Sequence, residues 1–404
     1  MVKRELYLNK IKNLIDKDII KVITGIRRCG KTYMLNLIID ELRNRGIKKE
    51  NIFYITFESS QYNQINNDLE LTELIKKLTQ NIQGRIYLLF DEIQLVKNWE
   101  RSINSFRVDY DCDIYITGSN SNLLSSELAT LLTGRYMEIK MYPFSFNETL
   151  DYYKEEKNIE ITKETEKEIF KDYITYGGLP FTLKLDKEDK INYLQDVYNS
   201  IILKDIINRY EIRNIDMLER LILFLIENIG NSFSANSISK YMKNEKRNIS
   251  VETITNYLNY FINAFILTKV SREDLIGKKL LTINEKYYLI NTGFYKTFIG
   301  NNKNQGKLLE NIVFNELILR GYNVTVGKVN NLEIDFICKK QDQKYYIQVS
   351  QSIMDENTLK REFKPLMEIK DFYPKYILTL DDWNYSSDGI IHMNIIDFLK
   401  KGIN

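Results

Sequence analysis

Cysteine and histidine are scarce in this sequence of 404 residues, which contains three Cys and one His. Cys29, Cys112 and Cys338 lie far apart and form no C-x-x-C pair, and His392 is the single imidazole. A structural zinc site needs about four such ligands at short spacing, and a disulfide framework needs several cysteines in a short chain. The sequence therefore argues against both kinds of site.

Long apolar runs and an excess of one charge are also missing. No segment approaches the roughly 18 apolar residues of a transmembrane helix, and the N-terminus mixes acidic and basic residues where a signal peptide would be apolar. The formal net charge of +2 gives no overall nucleic-acid footprint, although local basic patches can still bind nucleic acid. We expect a cytoplasmic protein with no membrane partner.

A phosphate-binding loop is the strongest motif that is present. Residues 25–32, GIRRCGKT, match G-x-x-x-x-G-K-[ST] between a predicted strand (19–24) and a predicted amphipathic helix (31–45). The backbone N–H groups of such a loop cradle phosphates at the positive end of the helix. We therefore predict ATP and Mg²⁺ as cofactors, with Lys31 on the phosphates and Thr32 on the ion. The residues predicted to line the nucleotide are Gly25, Ile26, Arg27, Arg28, Cys29, Gly30, Lys31, Thr32 and Tyr33.

Cys29 lies inside this loop beside two arginines. Cationic neighbours and a helix N-terminus both lower a thiol pKa, so this setting favours a thiolate. The alternative is that Cys29 only fills space in the loop.

The segment RIYLLFDEIQ predicts a buried parallel strand that ends at Asp91 and Glu92. Carboxylates at that point suit the second half of an ATPase site. Asp91 would hold Mg²⁺, and Glu92 would act as the general base on the attacking water. The alternative is a solvated acidic pair, which the preceding phosphate loop makes the weaker interpretation.

Two more polar residues lie next to apolar strands and are candidate catalytic residues together with Glu92 and Lys31. Asn120 follows CDIYITGS and would sense the γ-phosphate or the water, or it caps a following helix. Arg135 precedes the strand YMEIKM and would neutralise transition-state charge in cis or in trans, as arginine fingers do. An ordinary surface arginine is the alternative at position 135.

Motifs along nearly the whole chain resemble one protein family, the prokaryotic AAA/STAND-like P-loop ATPases with AAA domain 14 and a C-terminal DUF4143 domain. The motifs are GIRRCGKT, LLFDEIQLVKNWE, YITGSNSNLLSSELATLLTGRY, YPFSFNE, YITYGGLP, ILKDIINRYEIRN, KYYLINTG and EIDFI. The resemblance implies ATP binding and hydrolysis. It also implies that the YGGLP turn contacts the nucleotide through Gly178 and Pro180, although a rigid turn between helices explains the same residues.

Three helical patterns and two extended runs after Met217 predict a winged helix, with a recognition helix that starts at Ser250. That helix begins VETITN and carries little positive charge, whereas DNA affinity depends largely on Lys and Arg. The nearby KNEKRN and the pair Lys278 and Lys279 partly compensate. DNA binding and a protein-contact role therefore both remain open.

The last hundred residues resemble the PD-(D/E)xK nuclease fold, with Glu310 on its first helix and Asp335 on its second strand. Gln348 and Ser350 stand where the second acid and the lysine of that motif belong, and they would bind Mg²⁺ poorly. We predict an inactive nuclease-like module. Lys344, upstream on the same strand and expected to be solvated, is the only substitute lysine.

The predicted fold class is α/β with a P-loop NTPase parallel-sheet core. Its predicted parts are the P-loop core (1–150), a helical lid (151–215), a winged helix (216–299) and a C-terminal PD-(D/E)xK nuclease-like α/β domain (300–404). The first function hypothesis is a Mg-dependent ATPase whose nucleotide state moves the C-terminal modules. The second is a slow-turnover, ATP-dependent switch or scaffold that recruits DNA or a protein partner, and an ATP-gated nuclease is the weakest. The oligomeric state stays open.

Overall fold

The structure is a computed structural model that describes residues 2–121, 132, 134–275, 277, 279–300 and 304–403, with backbone alone at 279–284. It divides into two compact units. The first comprises Met1–Pro143 with Asn263–Phe265, and the second comprises Phe144–Ile262 with Ile266–Asn404. Among the described helices, none combines the length and the apolar content that crossing a bilayer requires.

A five-stranded sheet forms the centre of the first unit. Its strands are β1 (Ile20–Gly25), β2 (Ile52–Thr56), β3 (Ile86–Asp91), β4 (Cys112–Gly118) and β5 (Tyr136–Met141), and its helices are α1 (Glu5–Lys12), α2 (Lys31–Asn44), α3 (Asp68–Thr79) and α4 (Trp99–Asp109). The strand order is β2-β3-β4-β1-β5, and every pairing is parallel. The carboxyl ends of all five strands therefore meet at one edge.

The central strands are buried along most of their length, which explains why their sequences are almost continuously apolar rather than alternating. All six residues of β1 and all six of β3 are buried. One face of the sheet packs against α3 and α4 in a core that includes Leu71, Ile75, Trp99, Ile103 and Phe106. The prediction of an α/β core with a parallel sheet is confirmed, and so is the strand, loop and helix order around residues 25–32.

The second unit begins with helices. They are α5 (Phe146–Glu156), α6 (Lys163–Tyr176), α7 (Lys187–Ser200), a π-helix (Ile201–Ile207), α8 (Asn208–Tyr210), α9 (Ile215–Glu227), α10 (Ala235–Asn244) and α11 (Val251–Asn263), whose last residue belongs to the first unit. Serine and threonine set three of the starts. Ser145 before α5, Thr162 before α6 and Ser234 before α10 form capping boxes with the third residue of the helix.

An eight-stranded sheet completes this unit. Its strands are β6 (Ser232–Phe233), β7 (Leu267–Asp274), β8 (Lys279–Leu289), β9 (Asn323–Val329), β10 (Leu332–Lys340), β11 (Gln343–Val349), β12 (Lys375–Thr379) and β13 (Ile390–Asn394). The associated helices are α12 (Gly293–Ile299), α13 (Gln305–Leu319), α14 (Glu356–Met367) and α15 (Ile395–Lys401). The strand order is β13-β12-β11-β10-β9-β7-β8-β6.

This sheet crosses a boundary that the sequence predicts at residue 300. Strand β7 of the β7–β8 hairpin pairs in parallel with β9, through Arg272 with Val326 and Asp274 with Lys328. The hairpin predicted as the wing therefore shares one sheet with the strands predicted as nuclease-like. The predicted segments 151–215, 216–299 and 300–404 lie in the second unit, apart from the three residues 263–265.

Candidate nucleotide-binding site

The phosphate-loop motif connects β1 to α2. Gly25 has a φ of 148°, and a Cβ at this position would lie 2.3 Å from the backbone oxygen of Met141, so only glycine fits. The N–H of Cys29 donates to the oxygen of Ile26 at 3.3 Å and tightens the loop. Gly30 precedes α2 without a side-chain cap. The first N–H groups of a helix lack intrahelical partners and favour an anion such as phosphate.

Lys31 is folded into this loop. Its Nζ donates to the backbone oxygens of Gly25 at 3.0 Å and Ile26 at 3.3 Å, and it lies 3.8 Å from Glu92 Oε1. The side chain is buried. A buried ammonium needs such partners, and a phosphate oxygen can replace the backbone oxygens without leaving the charge unpaired.

Asp91 ends β3 and accepts hydrogen bonds from three hydroxyl groups. Thr32 Oγ1 donates to Oδ2 at 2.8 Å, Tyr54 OH donates to the same oxygen at 3.3 Å, and Thr117 Oγ1 donates to Oδ1 at 2.5 Å. Thr32 and Asp91 thus bring a hydroxyl and a carboxylate together, and Mg²⁺ prefers hard oxygen ligands of this kind.

The donor set fits Mg²⁺ held jointly with a nucleotide. Within the part of the chain that the structure describes, no group of three His, Cys, Asp or Glu side chains could hold a metal alone. Mg²⁺ commonly uses one or two protein ligands together with substrate phosphates and water. Thr32 and Asp91 are the residues that would hold the ion, as the sequence predicts.

Glu92 lies in the left-handed backbone region, with a φ of 54°. Ser119 Oγ donates to Glu92 Oε2 at 3.2 Å, and the amide of Gln94 donates to the same oxygen. Non-glycine residues in this region are strained and concentrate at functional sites. The bend directs the Glu92 carboxylate toward Lys31, as the 3.8 Å separation shows.

Thr117 is a residue of this site that the sequence analysis missed. Thr117 Oγ1 accepts from the Glu92 N–H at 2.9 Å while it donates to Asp91, so one hydroxyl connects both carboxylate residues. The signal was available, because parallel pairing of β3 with β4 places the residues after Phe90 and Ile116 side by side. Asn120, the predicted sensor, is buried just beyond. The helix that it was alternatively expected to cap lies outside the described residues.

Arg4 was also missed, and it supports the loop from the N-terminal segment. Its guanidinium donates to the backbone oxygens of Cys29 at 2.8 Å and Tyr142 at 2.9 Å, with Pro143 O at 3.4 Å. The side chain is 1% exposed and lies 4.7 Å from the ring centre of Tyr7. A single arginine therefore connects the start of the chain, the phosphate loop and the end of β5.

Comparisons with known proteins agree with this geometry. Residues 17–150 match a family model described as an AAA domain. Over 99% of both chains, the sequence is 40% identical to an uncharacterised protein of Haemophilus influenzae. It is 34% identical to an uncharacterised protein of Methanocaldococcus jannaschii over 98% of this chain and 88% of that one.

The chain belongs to one family with these two proteins and contains an AAA domain. The matched AAA domain includes the phosphate loop and the Asp91–Glu92 pair. Residues 167–305 match a domain of unknown function, DUF8612. The expected DUF4143 domain is therefore not shown, and this different domain model is the one that matches.

The solved structures that match include two distant neighbours. The Walker-type ATPase of Pyrococcus abyssi is 14% identical, with a TM-score of 0.47 over 74% of this chain and 96% of that one. The Aeropyrum pernix ORC1 protein in complex with DNA is 9% identical, with a TM-score of 0.35 over 74% and 94% of the two chains.

The thiolate interpretation of Cys29 is wrong. The side chain is fully buried in the AAA domain, and burial raises the pKa of its thiol in spite of the nearby cations Lys31 and Arg4. The sequence showed the positive neighbours but not the absence of solvent. Cys29 fills space beneath the loop, where its Sγ would lie 3.0 Å from a Cβ at Gly25.

Arg135 does not reach the nucleotide site within this chain. It directly precedes β5, whose first residue, Tyr136, pairs with Ile20 at the start of β1. The phosphate loop follows the other end of β1, six residues along the strand, which corresponds to about 20 Å. Arg135 Nη1 instead donates to Asn104 Oδ1 at 3.1 Å. A role in cis is therefore wrong, and a role in trans remains a prediction.

Gly178 and Pro180 belong to the second unit, and packing within that unit accounts for the glycines of their turn. A Cβ at Gly177 would lie 1.9 Å from Asn291 Oδ1, and one at Gly178 would lie 2.1 Å from the backbone oxygen of Phe144. The N–H of Gly178 donates to Asn291 Oδ1 at 3.0 Å. A nucleotide contact by this turn remains a prediction.

The tail residues that interrupt the nuclease motif have structural partners. Gln348 Oε1 accepts from the Asp335 N–H at 2.7 Å, and its amide donates to Glu362 at 3.1 Å. Burial, and after it the Glu310 carboxylate, raise the pKa of Asp335 to about 7.

The sequence predicts a solvated Lys344, whereas 19% of this side chain is exposed in the structure. It lies 3.4 Å from Asp371 Oδ2 and within 5.1 Å of the ring centres of Tyr346 and Tyr373. The inactive nuclease-like module remains a prediction.

Proposed function

We propose that this AAA protein hydrolyses ATP in a Mg²⁺-dependent reaction. The observation that carries the proposal is the position of Glu92 beside Lys31 and next to the Thr32–Asp91 pair. A carboxylate close to the phosphate-binding lysine can take a proton from water that attacks the γ-phosphate. The Thr32–Asp91 hydrogen bond supports a role for these two residues in holding Mg²⁺, which would neutralise charge on the phosphates.

Neighbouring side chains would set the orientation of this carboxylate. Ser119 and Gln94 both donate to Glu92 Oε2, which leaves Oε1 directed to the Lys31 side. Thr117 fixes the Glu92 backbone N–H. Asn120 and the loop residues complete the proposed catalytic and nucleotide-binding set. General-base catalysis contributes about 10²- to 10⁴-fold, so removal of this one group should be easy to measure.

Coupling of the nucleotide state to the C-terminal modules is the second part of the proposal. Ser121, one residue beyond Asn120, donates to Asn263 Oδ1 at 2.9 Å, and Lys140 lies 5.0 Å from the ring centre of Phe265. Residues 263–265 belong to the first unit, while the chain on both sides of them belongs to the second. A change at the end of β4 would thus act on a segment continuous with α11 and β7.

The resting contacts of Glu92 favour a second candidate, a slow-turnover switch. Two donors and the nearby lysine already occupy its carboxylate, and a base engaged in this way needs a rearrangement before it can accept a proton. In this version the ATP-bound protein recruits DNA or a protein partner through the proposed winged helix, α9 to α11 with β7 and β8. Arg247 there is paired with Asp216, which weakens the case for phosphate contacts.

Turnover and binding of ATP test the proposal together. Glu92→Gln should bind ATP at near wild-type affinity while hydrolysis falls by about 10²-fold or more, and Lys31→Ala should lose detectable binding. Glu73→Gln makes the same exchange on the exposed face of α3 and should change neither.

Normal hydrolysis by Glu92→Gln would contradict the role of Glu92. Unchanged ATP affinity of Lys31→Ala would contradict the site itself. Measuring each rate with and without duplex DNA separates the steady ATPase from a switch that a partner activates.

A further inference from the structure

Three carboxylates converge on one buried ammonium group in the second unit. Lys286 on β8 lies 2.8 Å from Glu310 Oε1, 2.8 Å from Glu333 Oε1 and 3.8 Å from Asp335 Oδ1. Its side chain is 1% exposed. Tyr288, two residues along the same strand, donates to Glu310 Oε1 at 2.6 Å. We call Lys286, Glu310, Glu333 and Asp335 the Lys286 cluster.

The sequence brings these residues together from separate elements. Glu333 and Asp335 are two apart on β10, so their side chains leave the same face of the strand. Glu310 comes from α13, and Lys286 comes from the hairpin strand β8. The register of β10 against β9 shifts between Ile334 and Ile337, and such a bulge re-aims the side chain within it, here Asp335.

Charge balance requires a cation at this point. A carboxylate that is buried without a partner is strongly unfavourable, and neighbouring carboxylates also repel each other. The exposed fraction of the side chain is 5% for Glu310, 15% for Asp335 and 37% for Glu333. Lys307 and Arg272 lie on the outer side, 3.0 Å from Glu310 and 3.5 Å from Glu333. Only Lys286, among the described cations within salt-bridge range, contacts all three carboxylates.

Carboxylate oxygens are the ligands that divalent cations prefer, but with Lys286 between these three carboxylates the described residues form no metal site. We propose that the Lys286 ammonium is a built-in cation that takes the place of a divalent metal in the Lys286 cluster. The cluster is then a metal-independent latch that holds the hairpin strand β8 to α13 and β10. This inference does not depend on ATP hydrolysis.

Mn²⁺ binding to the full-length protein tests the latch. All chains would carry Asp91→Asn, so that metal at the phosphate loop is not counted, and Mn²⁺ would be titrated without nucleotide by electron paramagnetic resonance. The Asp91→Asn protein that retains Lys286, here called the Lys286 background, should bind no Mn²⁺ at the cluster. Lys286→Ala should gain one site and lose it again when Asp335→Asn is added.

Thermal unfolding gives the second readout. Lys286→Ala should unfold about 10 °C lower, since an unpaired buried charge group is left behind, and Mn²⁺ should restore part of that loss only in this variant. Lys286→Arg keeps the charge and should retain most of the stability without binding Mn²⁺. Lys269→Ala, a half-exposed lysine of β7, is the matched control.

Either of two results would overturn the proposal. The first is Mn²⁺ binding in the Lys286 background that Asp335→Asn removes. The second is a loss of stability in Lys286→Arg equal to that in Lys286→Ala, which would show that shape rather than charge matters. Should Lys286→Ala fail to fold even with Mn²⁺, the arginine variant and the Lys286 background still decide the question.

Discussion

Replacement of Arg4 with methionine should weaken ATP binding although Arg4 is 21 positions before Gly25 in the sequence. Two short hydrogen bonds from its guanidinium, to Cys29 O at 2.8 Å and Tyr142 O at 2.9 Å, would be lost. Hydrogen bonds to charged groups contribute about 1.5–3 kcal/mol each. The bond to Cys29 acts directly on the phosphate loop, so its loss should lower ATP affinity about 10- to 150-fold, at 1.4 kcal/mol for each factor of ten.

The assay is a direct ATP titration next to urea denaturation of the same samples. Arg4→Met should lower the free energy of unfolding by about 3 kcal/mol, which a domain of ordinary stability survives. Arg4→Lys keeps the charge but cannot donate in two directions from one plane. Its ATP affinity and its free energy of unfolding should lie between those of the wild type and Arg4→Met. Lys3→Met changes an exposed neighbour and serves as the control. Wild-type ATP affinity in a folded Arg4→Met protein would refute the reasoning.

Two further predictions concern buried groups of the first unit. Cys29 should resist maleimide in the folded protein at pH 7 and react after urea is added, because burial raises its thiol pKa and excludes the reagent. Mass spectrometry measures the labelling, with Cys29→Ala as the control. Labelling of the native protein at the rate of the unfolded protein would contradict this prediction. Asp113→Leu should lower the free energy of unfolding by about 3–5 kcal/mol, because Lys21 stays buried without its carboxylate. Urea denaturation should find the double variant Lys21→Met/Asp113→Leu more stable than Asp113→Leu alone, and an equal or greater loss in the double variant would argue against an ion-pair effect.

The parts of the site that are local in sequence could be predicted. Lys31 and Thr32 follow from one motif, and Asp91 with Glu92 follows from a buried strand that ends in two acids. Each assignment needs only a short segment and the rule that parallel strands end at the same edge. The predicted phosphate-loop strand differs from β1 by one residue at each end, and the predicted helix differs from α2 by one residue at its C-terminal end.

The remaining parts depend on contacts between distant segments. Nothing near Arg4 in the sequence indicates that it lies against Cys29, and nothing near Lys286 indicates three carboxylates around it. The position of Thr117 beside Asp91 follows from the register of β3 with β4 rather than from a sequence motif. The prediction of a cis role for Arg135 is wrong for the opposite reason. An arginine suits catalysis, but the strand that follows Arg135 starts at the end of the sheet opposite the phosphate loop. Residue type predicts chemistry well only after topology fixes position.

The pairing of β7 with β9 determines how this protein could be divided. A fragment that starts at residue 300 would uncover the N–H and C=O groups of β9, and unpaired strand edges promote association with other chains. The same cut would remove Lys286 from Glu310 and leave a buried carboxylate without its main cation. A fragment that starts at Ile266 would keep the strand edge and the ion pairs. The smallest portion that could be transferred to another protein therefore begins with the hairpin, well before the nuclease-like sequence itself.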